Sequence, residues 1–222
     1  HPEKFIESNI MGFHNLIDVS KNYNIKKFFY ASSSSVYGDI NKFPVNEKSK
    51  LFPKNIYGLS KKMNEEYIDI NSNKHTKYIG LRFFTVFGEW GRPDMLILKF
   101  LKTAYDKKIF YLNNSGKHWR DFTYIDDVVK NLENLLTKNF KENTIINICS
   151  NRPIYIKNLI NYLSKKTNFL NIKKIKQNKI EAIKTHGENI KLKNIKNFKK
   201  FSDFYISVDK TIEWFQQYKK LI

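Results

Sequence analysis

The sequence contains a single cysteine, Cys149, among 222 residues. One thiol excludes a framework of internal disulfides. The five histidines are scattered, so they give no spacing typical of a structural zinc site, and no bound metal is expected. Apolar runs stay below the roughly 18 residues that a membrane-spanning helix needs, and the first residues include no hydrophobic signal segment. We therefore expect a cytoplasmic protein with no membrane partner.

Arginine and acidic residues are both scarce. The chain has 40 basic residues against 21 acidic ones, a net charge of +19, yet only four of the basic residues are arginines. An excess of positive charge is typical of proteins that bind nucleic acids. Here the lysines are dispersed among asparagines and isoleucines, which favours a solvated surface over a phosphate-binding patch. We predict no nucleic-acid partner.

The chain does have enough apolar material for a core, with 41% hydrophobic and 15% aromatic residues. Apolar periodicity predicts helices over Lys4–Tyr23, Tyr57–Asn71, Pro93–Asp106, Ile125–Thr137, Ile156–Lys166 and Val208–Tyr218. Short continuous apolar runs predict buried strands over Lys27–Ala31, Lys77–Phe84, Ile109–Leu112 and Thr144–Cys149. Residues Ser32–Pro53 are predicted to form a long loop. The alternation of strand and helix predicts an α/β fold with a parallel sheet.

Ligands of open parallel sheets bind at the carboxyl ends of the strands. Tyr57 and Lys61 begin the helix that follows one such end, and their spacing of four places both on one helix face, where an ammonium stabilises a phenolate. The spacing alone is weak, since chance gives about two such pairs and two more occur, Tyr23/Lys27 and Tyr162/Lys166. Tyr57 differs because its helix follows a strand that ends in the serine run 32–35.

Four motifs follow one another along the chain. They are Tyr-Ala-Ser-Ser-Ser-Ser-Val-Tyr-Gly at 30–38, Ile-Tyr-Gly-Leu-Ser-Lys at 56–61, Leu-Arg-Phe-Phe-Thr-Val-Phe-Gly at 81–88 with Trp-Gly-Arg-Pro-Asp-Met at 90–95, and Arg-Asp-Phe-Thr-Tyr-Ile-Asp-Asp at 120–127. In order and spacing they resemble the extended short-chain dehydrogenase/reductases of the NAD-dependent epimerase/dehydratase family, most closely the UDP-glucuronate 4-epimerases. The resemblance extends over nearly the whole chain and is strongest over residues 1–130.

This resemblance implies a partial Rossmann-type parallel sheet with a smaller mixed α/β substrate domain. Residues 1–86 and 120–150 would form the C-terminal part of the NAD-binding domain, and residues 87–119 and 151–222 the nucleotide-sugar domain. NAD would be the cofactor, and a UDP-hexuronic acid or UDP-hexose would be epimerised at C4 through a transient 4-keto sugar. Related dehydratases carry an Asp-Glu pair at the positions of Ser34 and Ser35, so epimerisation is favoured over elimination.

The resemblance also implies roles for individual residues. Tyr57 would be the general base, Lys61 would lower the pKa of its phenol, and Ser33 would hydrogen-bond the same sugar hydroxyl. The cofactor would contact Asn9, Ala31, Ser32, Tyr57, Lys61 and Phe83. The substrate would contact Ser33, Ser34, Ser35, Thr85, Arg92, Arg120 and Glu188, with the two arginines on the diphosphate and the small hydroxyl groups on a sugar carboxylate.

The family's glycine-rich phosphate turn does not occur in this sequence. Only Gly12 precedes Gly38, so no Gly-x-x-Gly-x-x-Gly exists, and a strand, turn and helix of roughly 90 residues are expected to lie outside the given chain. We therefore expect these residues alone to be inactive. By resemblance we expect a homodimer formed through residues 4–23 and 57–71. Two alternatives stay open: an inactive nucleotide-sugar-binding protein, and another sugar-nucleotide enzyme of the extended family.

Overall fold

A computed structural model of the chain describes residues 2–176 and 182–220. The α-helices are α1 (Pro2–Phe5), α2 (Gly12–Lys21), α3 (Ile56–Asn71), α4 (Leu96–Tyr105), α5 (Ile125–Thr137), α6 (Ile156–Thr167), α7 (Ile190–Lys193) and α8 (Phe204–Tyr218). The strands are β1 (Lys27–Ser33), β2 (Lys77–Phe83), β3 (Thr85–Phe87), β4 (Phe110–Leu112), β5 (Trp119–Tyr124), β6 (Thr144–Ile148), β7 (Pro153–Tyr155) and β8 (Ile172–Lys174). A π-helical turn, Ile6–Met11, joins α1 to α2.

The central sheet is parallel, in the order β1-β2-β6. Its register aligns Ser33 of β1 with Phe83 of β2, and Arg82 of β2 with Asn147 of β6. The carboxyl ends of these strands therefore lie along one edge, as the alternation of elements predicts. A second sheet has the order β3-β5-β7, with β3 and β5 parallel, and β4 pairs with β8. The prediction of an α/β fold built on a parallel sheet is confirmed.

Several predicted boundaries are wrong. Ser32 and Ser33 are the last residues of β1, not the start of the long loop, because their backbones continue the pairing with β2. Helix α4 begins at Leu96 and not at Pro93, since a turn closed by the Met95 N–H and the Arg92 carbonyl at 3.1 Å comes first. Helix α8 begins earlier than predicted, at Phe204, where the Asp203 side chain caps it.

Two large clusters of the apolar core pack against different sheets. One packs β2, β6 and α5 around Ile79, Ile146 and Leu135, all essentially inaccessible to solvent. A larger cluster, centred on Phe100 and Leu163, joins α4, α6 and α8 to β5. A third cluster, which includes Val36, Tyr37, Phe84 and Cys149, packs the turn after β1 against the end of β2. Among the described helices, none is both long and apolar enough to cross a bilayer.

Gly38 gives a test of the loop that follows the serine run. Its φ is +65°, and an added Cβ would lie 1.7 Å from the Phe52 carbonyl oxygen. We expect Gly38→Ala to lower the free energy of unfolding by about 2 kcal/mol or more, because both the backbone conformation and the contact become strained. Urea denaturation measures this loss.

Gly12→Ala is the matched control. Gly12 is helical and its added Cβ would meet only the Glu7 carbonyl oxygen, at an ordinary contact distance of 3.4 Å. Alanine is the better helix former, so this variant should be as stable as the parent or more so. Equal stability of the two variants would contradict the assigned backbone conformation at Gly38.

Candidate active site

The serine run forms a tight turn at the carboxyl end of β1. Ser33 has an extended backbone and is 7% exposed, and its Oγ accepts a hydrogen bond from the Ser35 N–H at 3.1 Å. That bond caps a short 3-10 turn, Ser34–Val36. Accepting it leaves the hydroxyl hydrogen of Ser33 as a donor. The turn therefore presents a fixed hydroxyl at the edge where ligands of parallel sheets bind.

Helix α3 begins directly against this turn. The Asn55 side chain caps it by accepting from the Gly58 N–H at 2.8 Å. An added Cβ on Gly58 would lie 2.6 Å from the Ser35 carbonyl oxygen, so the missing side chain permits the close approach. Tyr57 in this first turn and Lys61 one turn later share a face, with the Lys61 Nζ 5.9 Å from the centre of the Tyr57 ring.

Lys61 is a half-buried cation with an unusual environment. Burial lowers the pKa of its ammonium. Within residues 2–176 and 182–220 it forms no ion pair with a carboxylate. Such an ammonium is suited to donate to neutral oxygens, such as the hydroxyls of a ribose or a phenol.

The N-terminal helical segment supports α3 from one side. The Asn9 amide donates to the Ser60 Oγ at 3.1 Å, and that Oγ donates to the Tyr57 carbonyl oxygen at 2.8 Å. The Phe5 ring packs 5.7 Å from the Tyr57 ring, centre to centre. Asn9 lies in the π-helical turn, a feature frequent at functional sites. The predicted cofactor residue Asn9 thus contacts the helix that carries Tyr57.

A buried polar network lies beneath the serine turn. Arg82 in β2 makes two hydrogen bonds to Glu65 of α3, from Nε at 3.0 Å and from Nη2 at 2.7 Å. Glu65 also accepts from the Ser32 hydroxyl at 2.5 Å. Arg82 donates to the Tyr37 hydroxyl at 2.9 Å, and that hydroxyl donates to Asn147 at 2.7 Å. The network joins the three strands of the central sheet to α3.

Protonation follows from this arrangement. Burial acts against the charge of Arg82, but the hydrogen bonds and charge of Glu65 outweigh it and raise the guanidinium pKa further. Burial raises the pKa of Tyr37 to about 12, so it stays a neutral phenol. Neither Glu65 nor the network was predicted from the sequence. The available signal was Arg82 itself, a charged residue inside an otherwise apolar strand, which requires a buried acidic partner.

A cavity of about 410 Å³ opens beside the serine turn. Four of the predicted substrate residues line it, namely Ser34, Ser35, Thr85 and Arg120. Basic side chains of the lining are Lys54, Lys99 and Arg120, and its carboxylate is Asp94. Phe110, Tyr111 and Leu112 of β4 and Asn113 after it also line the cavity. The cavity therefore combines small hydroxyl groups with basic side chains.

The remaining predicted residues lie outside the cavity lining. Ser33, Tyr57 and Lys61 lie at the adjoining junction of β1 with α3. Ala31 is exposed on β1, and Phe83 is half-buried at the end of β2 against the core.

The two other predicted substrate residues are placed differently. Arg92 is exposed and makes a two-point contact with Asp94, at 3.0 and 2.5 Å. Glu188 makes a main-chain hydrogen bond, in which its N–H donates to the Val45 carbonyl oxygen at 2.8 Å. The predicted substrate roles of Arg92 and Glu188 stay predictions.

The buried ion pair yields a stability prediction. Glu65→Gln removes the charge that compensates Arg82, and we expect a loss of about 3 kcal/mol in the free energy of unfolding. Glu66→Gln is the control, because the Glu66 side chain is 59% exposed and approaches Lys62 only at 3.5 Å. Its effect should stay within about 0.5 kcal/mol. Denaturant titration of both variants measures the difference, and comparable losses would contradict the role of the pair.

The chain is similar in sequence to proteins of one known family. Residues 1–149 match the NAD dependent epimerase/dehydratase family. Protein CapI of Staphylococcus aureus is 41% identical over 140 residues, 62% of this chain and 42% of that protein. UDP-glucuronate 4-epimerase 4 of Arabidopsis thaliana is 44% identical over 136 residues, 59% of this chain and 31% of that enzyme. The chain thus spans less than half the length of these two relatives.

Solved structures agree in fold. The UDP-glucuronic acid 4-epimerase from Bacillus cereus, in complex with UDP-glucuronic acid and NAD, superposes with a TM-score of 0.88 at 26% identity, over 96% of this chain and 68% of that one. A UDP-glucose 4-epimerase from Thermotoga maritima has a TM-score of 0.90 at 24% identity and covers all of this chain and 73% of its own, which supports the fold alone. With the family match over two thirds of its residues, the chain belongs to the NAD-dependent epimerase/dehydratase family.

Proposed function

We propose that the protein epimerises C4 of a UDP-hexuronic acid, by oxidation to a 4-keto sugar and reduction on the opposite face. The observation that carries the proposal is the junction of β1 with α3, where Tyr57 and Lys61 lie beside the Ser33 turn and next to a basic cavity. The resemblance to UDP-glucuronate 4-epimerases in sequence and in fold supports it.

The residues at this junction fit the nicotinamide end of NAD. NAD would supply the acceptor and the donor of a hydride. The half-buried ammonium of Lys61, with no carboxylate partner in the described chain, fits the ribose hydroxyls. Ala31, Ser32 and Phe83 near the ends of β1 and β2, and Asn9 against α3, are proposed to complete the contact. The diphosphate end of NAD is assigned to no residue of this chain.

The chain's own residues would manage the proton. The Tyr57 phenolate oxygen would take the proton of the sugar's 4-hydroxyl as its C4 hydrogen leaves as hydride, and would return it when C4 is reduced. A phenol of ordinary pKa near 10 is a weak base at neutral pH, so the positive charge of Lys61 on the same face is needed. The Ser33 hydroxyl, fixed by its bond from the Ser35 N–H, would orient the reacting oxygen.

The cavity supports a UDP-sugar with a carboxylate. Lys99 and Arg120 in its described lining suit a diphosphate, and Lys54, which pairs with Asp39 at 2.5 Å, is a third basic side chain there, against the single lining acid Asp94. Ser34, Ser35 and Thr85 would offer hydroxyl donors to the sugar's carboxylate. Because positions 34 and 35 hold no acid, the β-elimination of a dehydratase would lack its acid and base there.

We also propose a homodimer formed through α2 and α3. Apolar side chains face solvent on both, including Met11 just before α2, Leu16 and Val19 on α2, and Met63 and Ile70 on α3, with Ile70 82% exposed. Exposed apolar side chains on two neighbouring helices favour burial against a partner surface. Sedimentation analysis of Leu16→Glu would test the proposal.

Tyr57→Phe tests the chemistry. In the protein as its gene encodes it, supplied with NAD and UDP-glucuronate, we expect kcat to fall by about 10²- to 10⁴-fold, because a general base is lost while the ring remains. NMR of the C4 epimers measures the rate. Tyr162→Phe is the matched control, since the Lys166 Nζ lies over the Tyr162 ring at 5.3 Å in the same i, i+4 geometry, and the Tyr162 hydroxyl donates to Asp209 at 2.7 Å. That variant should keep the parental rate.

The substrate panel separates the alternatives. UDP-glucuronate should be epimerised in preference to UDP-glucose and UDP-N-acetylglucosamine if the serine and threonine hydroxyls select a carboxylate. Preference for a neutral sugar would contradict the hexuronic acid assignment, but the proposal of C4 epimerase activity would stand. Calorimetric binding of UDP-glucuronate without turnover would favour the inactive nucleotide-sugar-binding protein.

A further inference from the structure

Asp121 is a fully buried carboxylate next to the cavity residue Arg120 in β5. Its Oδ1 accepts from the Ser150 N–H at 3.1 Å and from the Ser150 hydroxyl at 2.8 Å. Its Oδ2 accepts from the Gly187 N–H at 3.0 Å. The two partners are 29 and 66 residues away along the chain. One side chain therefore joins three distant segments.

The segment 182–188 is also joined to β5 by its main chain. The Trp119 N–H donates to the Ile183 carbonyl oxygen at 3.0 Å, and the Thr185 N–H donates to the Trp119 carbonyl oxygen at 3.2 Å. The Thr185 hydroxyl accepts from the Asp121 N–H at 3.1 Å. Ala182 and Thr185 of this segment line the cavity. Its attachment to β5 thus determines where one wall of the cavity lies.

Gly187 shows how closely the segment is packed. A Cβ added to it would lie 2.5 Å from the Phe84 ring and 2.6 Å from the Cys149 Sγ. The N–H that points to Asp121 is therefore held against the end of the central sheet, with little room to shift. Apolar contact fixes the depth of the segment, and the hydrogen bond to Asp121 fixes its direction.

Burial of the Asp121 carboxylate is energetically unfavourable, which supports a specific role for it. Burial raises the pKa of Asp121 to about 6, against the opposing hydrogen bonds from Gly187 and Ser150. The groups facing it are the backbone N–H groups and the hydroxyl named above, the Arg152 N–H, and the buried Cys149 thiol. Within the described residues no cation pairs with the Asp121 carboxylate, so its hydrogen bonds come from neutral donors.

We propose that Asp121 is a positioning residue for the substrate cavity, which fastens segment 182–188 and Ser150 to β5 so that Thr185 and Arg120 form one wall. The proposal rests on the proposed function, because that wall is assigned to the UDP-sugar. Asp121 touches neither the cofactor nor the reacting atoms in this assignment. Its loss should therefore weaken substrate binding and spare the chemical step.

Asp121→Asn is the first test, in the protein as its gene encodes it. The asparagine amide has the same shape as the carboxylate, but its NH₂ group would face the N–H of Gly187 or of Ser150. At least one of the hydrogen bonds to Asp121 is therefore lost. We expect the KM for UDP-glucuronate to rise at least ten-fold while kcat stays within three-fold of the parent. Hydrogen exchange should quicken in peptides that cover residues 182–189.

Asp127→Asn is the matched control. Asp127 is also buried, at 3% exposure, and it accepts from the N–H and the hydroxyl of a single serine, Ser202, at 2.8 and 2.9 Å. It lines no part of the cavity of about 410 Å³. This variant should quicken exchange around residue 202 and leave the KM within two-fold of the parent. A general loss of stability would raise the KM in both variants equally and would overturn the proposal.

Two further outcomes are decisive. A fall in kcat with an unchanged KM in Asp121→Asn would also overturn the positioning role. If that variant does not fold, Ser150→Ala removes the 2.8 Å bond from the Ser150 hydroxyl to Asp121 together with the bond that this hydroxyl accepts from the Arg152 N–H at 3.2 Å. We expect a KM about three-fold higher, with no change counting against the proposal. Hydrogen exchange at residues 182–189 can be measured without turnover. If it is faster in Asp121→Asn but the protein binds no UDP-sugar, the proposed function is refuted and the attachment of segment 182–188 by Asp121 is supported.

Discussion

The buried ion pair of Arg82 with Glu65 is the constraint on which the site depends. Removing two charges from water is costly, and such a pair is tolerated only when each oxygen and N–H finds a partner. Here Ser32 and Tyr37 supply the additional bonds, so the pair becomes a network that spans all three strands of the central sheet and α3. The serine-bearing end of β1 and the helix are thereby held to each other by directional bonds.

This pair also determines how α3 is rotated. Tyr57, Lys61 and Glu65 are spaced by four, so they lie along one face of the helix. Because Glu65 is fixed against Arg82, the face that it shares with Tyr57, two turns earlier in α3, is directed toward the Ser33 turn. The Asn55 cap and the Gly58 contact fix the height at which the helix begins. The pairing of Tyr57 with Lys61, which we propose to be catalytic, follows from a bond made at neither residue.

Much of the framework could be predicted from the sequence, because long periodic segments carry their own signal. The predicted bounds of α5, Ile125–Thr137, agree with the structure. Strand β5 was missed because Arg120 and Asp121 interrupt its apolar pattern. Strands β3, β7 and β8, of three residues each, were also missed, whereas the equally short β4 was predicted from the apolar run Ile109–Leu112. The motif-bearing side chains at the end of β1 and the start of α3 were found because each lies within a few residues of its neighbour in the motif.

Glu65 and Asp121 were not found, and the reason is physical. Their partners lie 17 to 66 residues away, so no local spacing records them. Both carboxylates fix the position of neighbouring segments more precisely than apolar packing does. Side chains such as leucine adapt to a shift of an ångström by changing rotamer, whereas a hydrogen bond weakens sharply with distance and angle. A reaction that moves a proton and a hydride needs its groups held to a fraction of an ångström. Glu65, beneath the serine turn, and Asp121, next to the cavity residue Arg120, would give the proposed reaction that precision, one by pairing with a cation and the other by accepting from neutral donors.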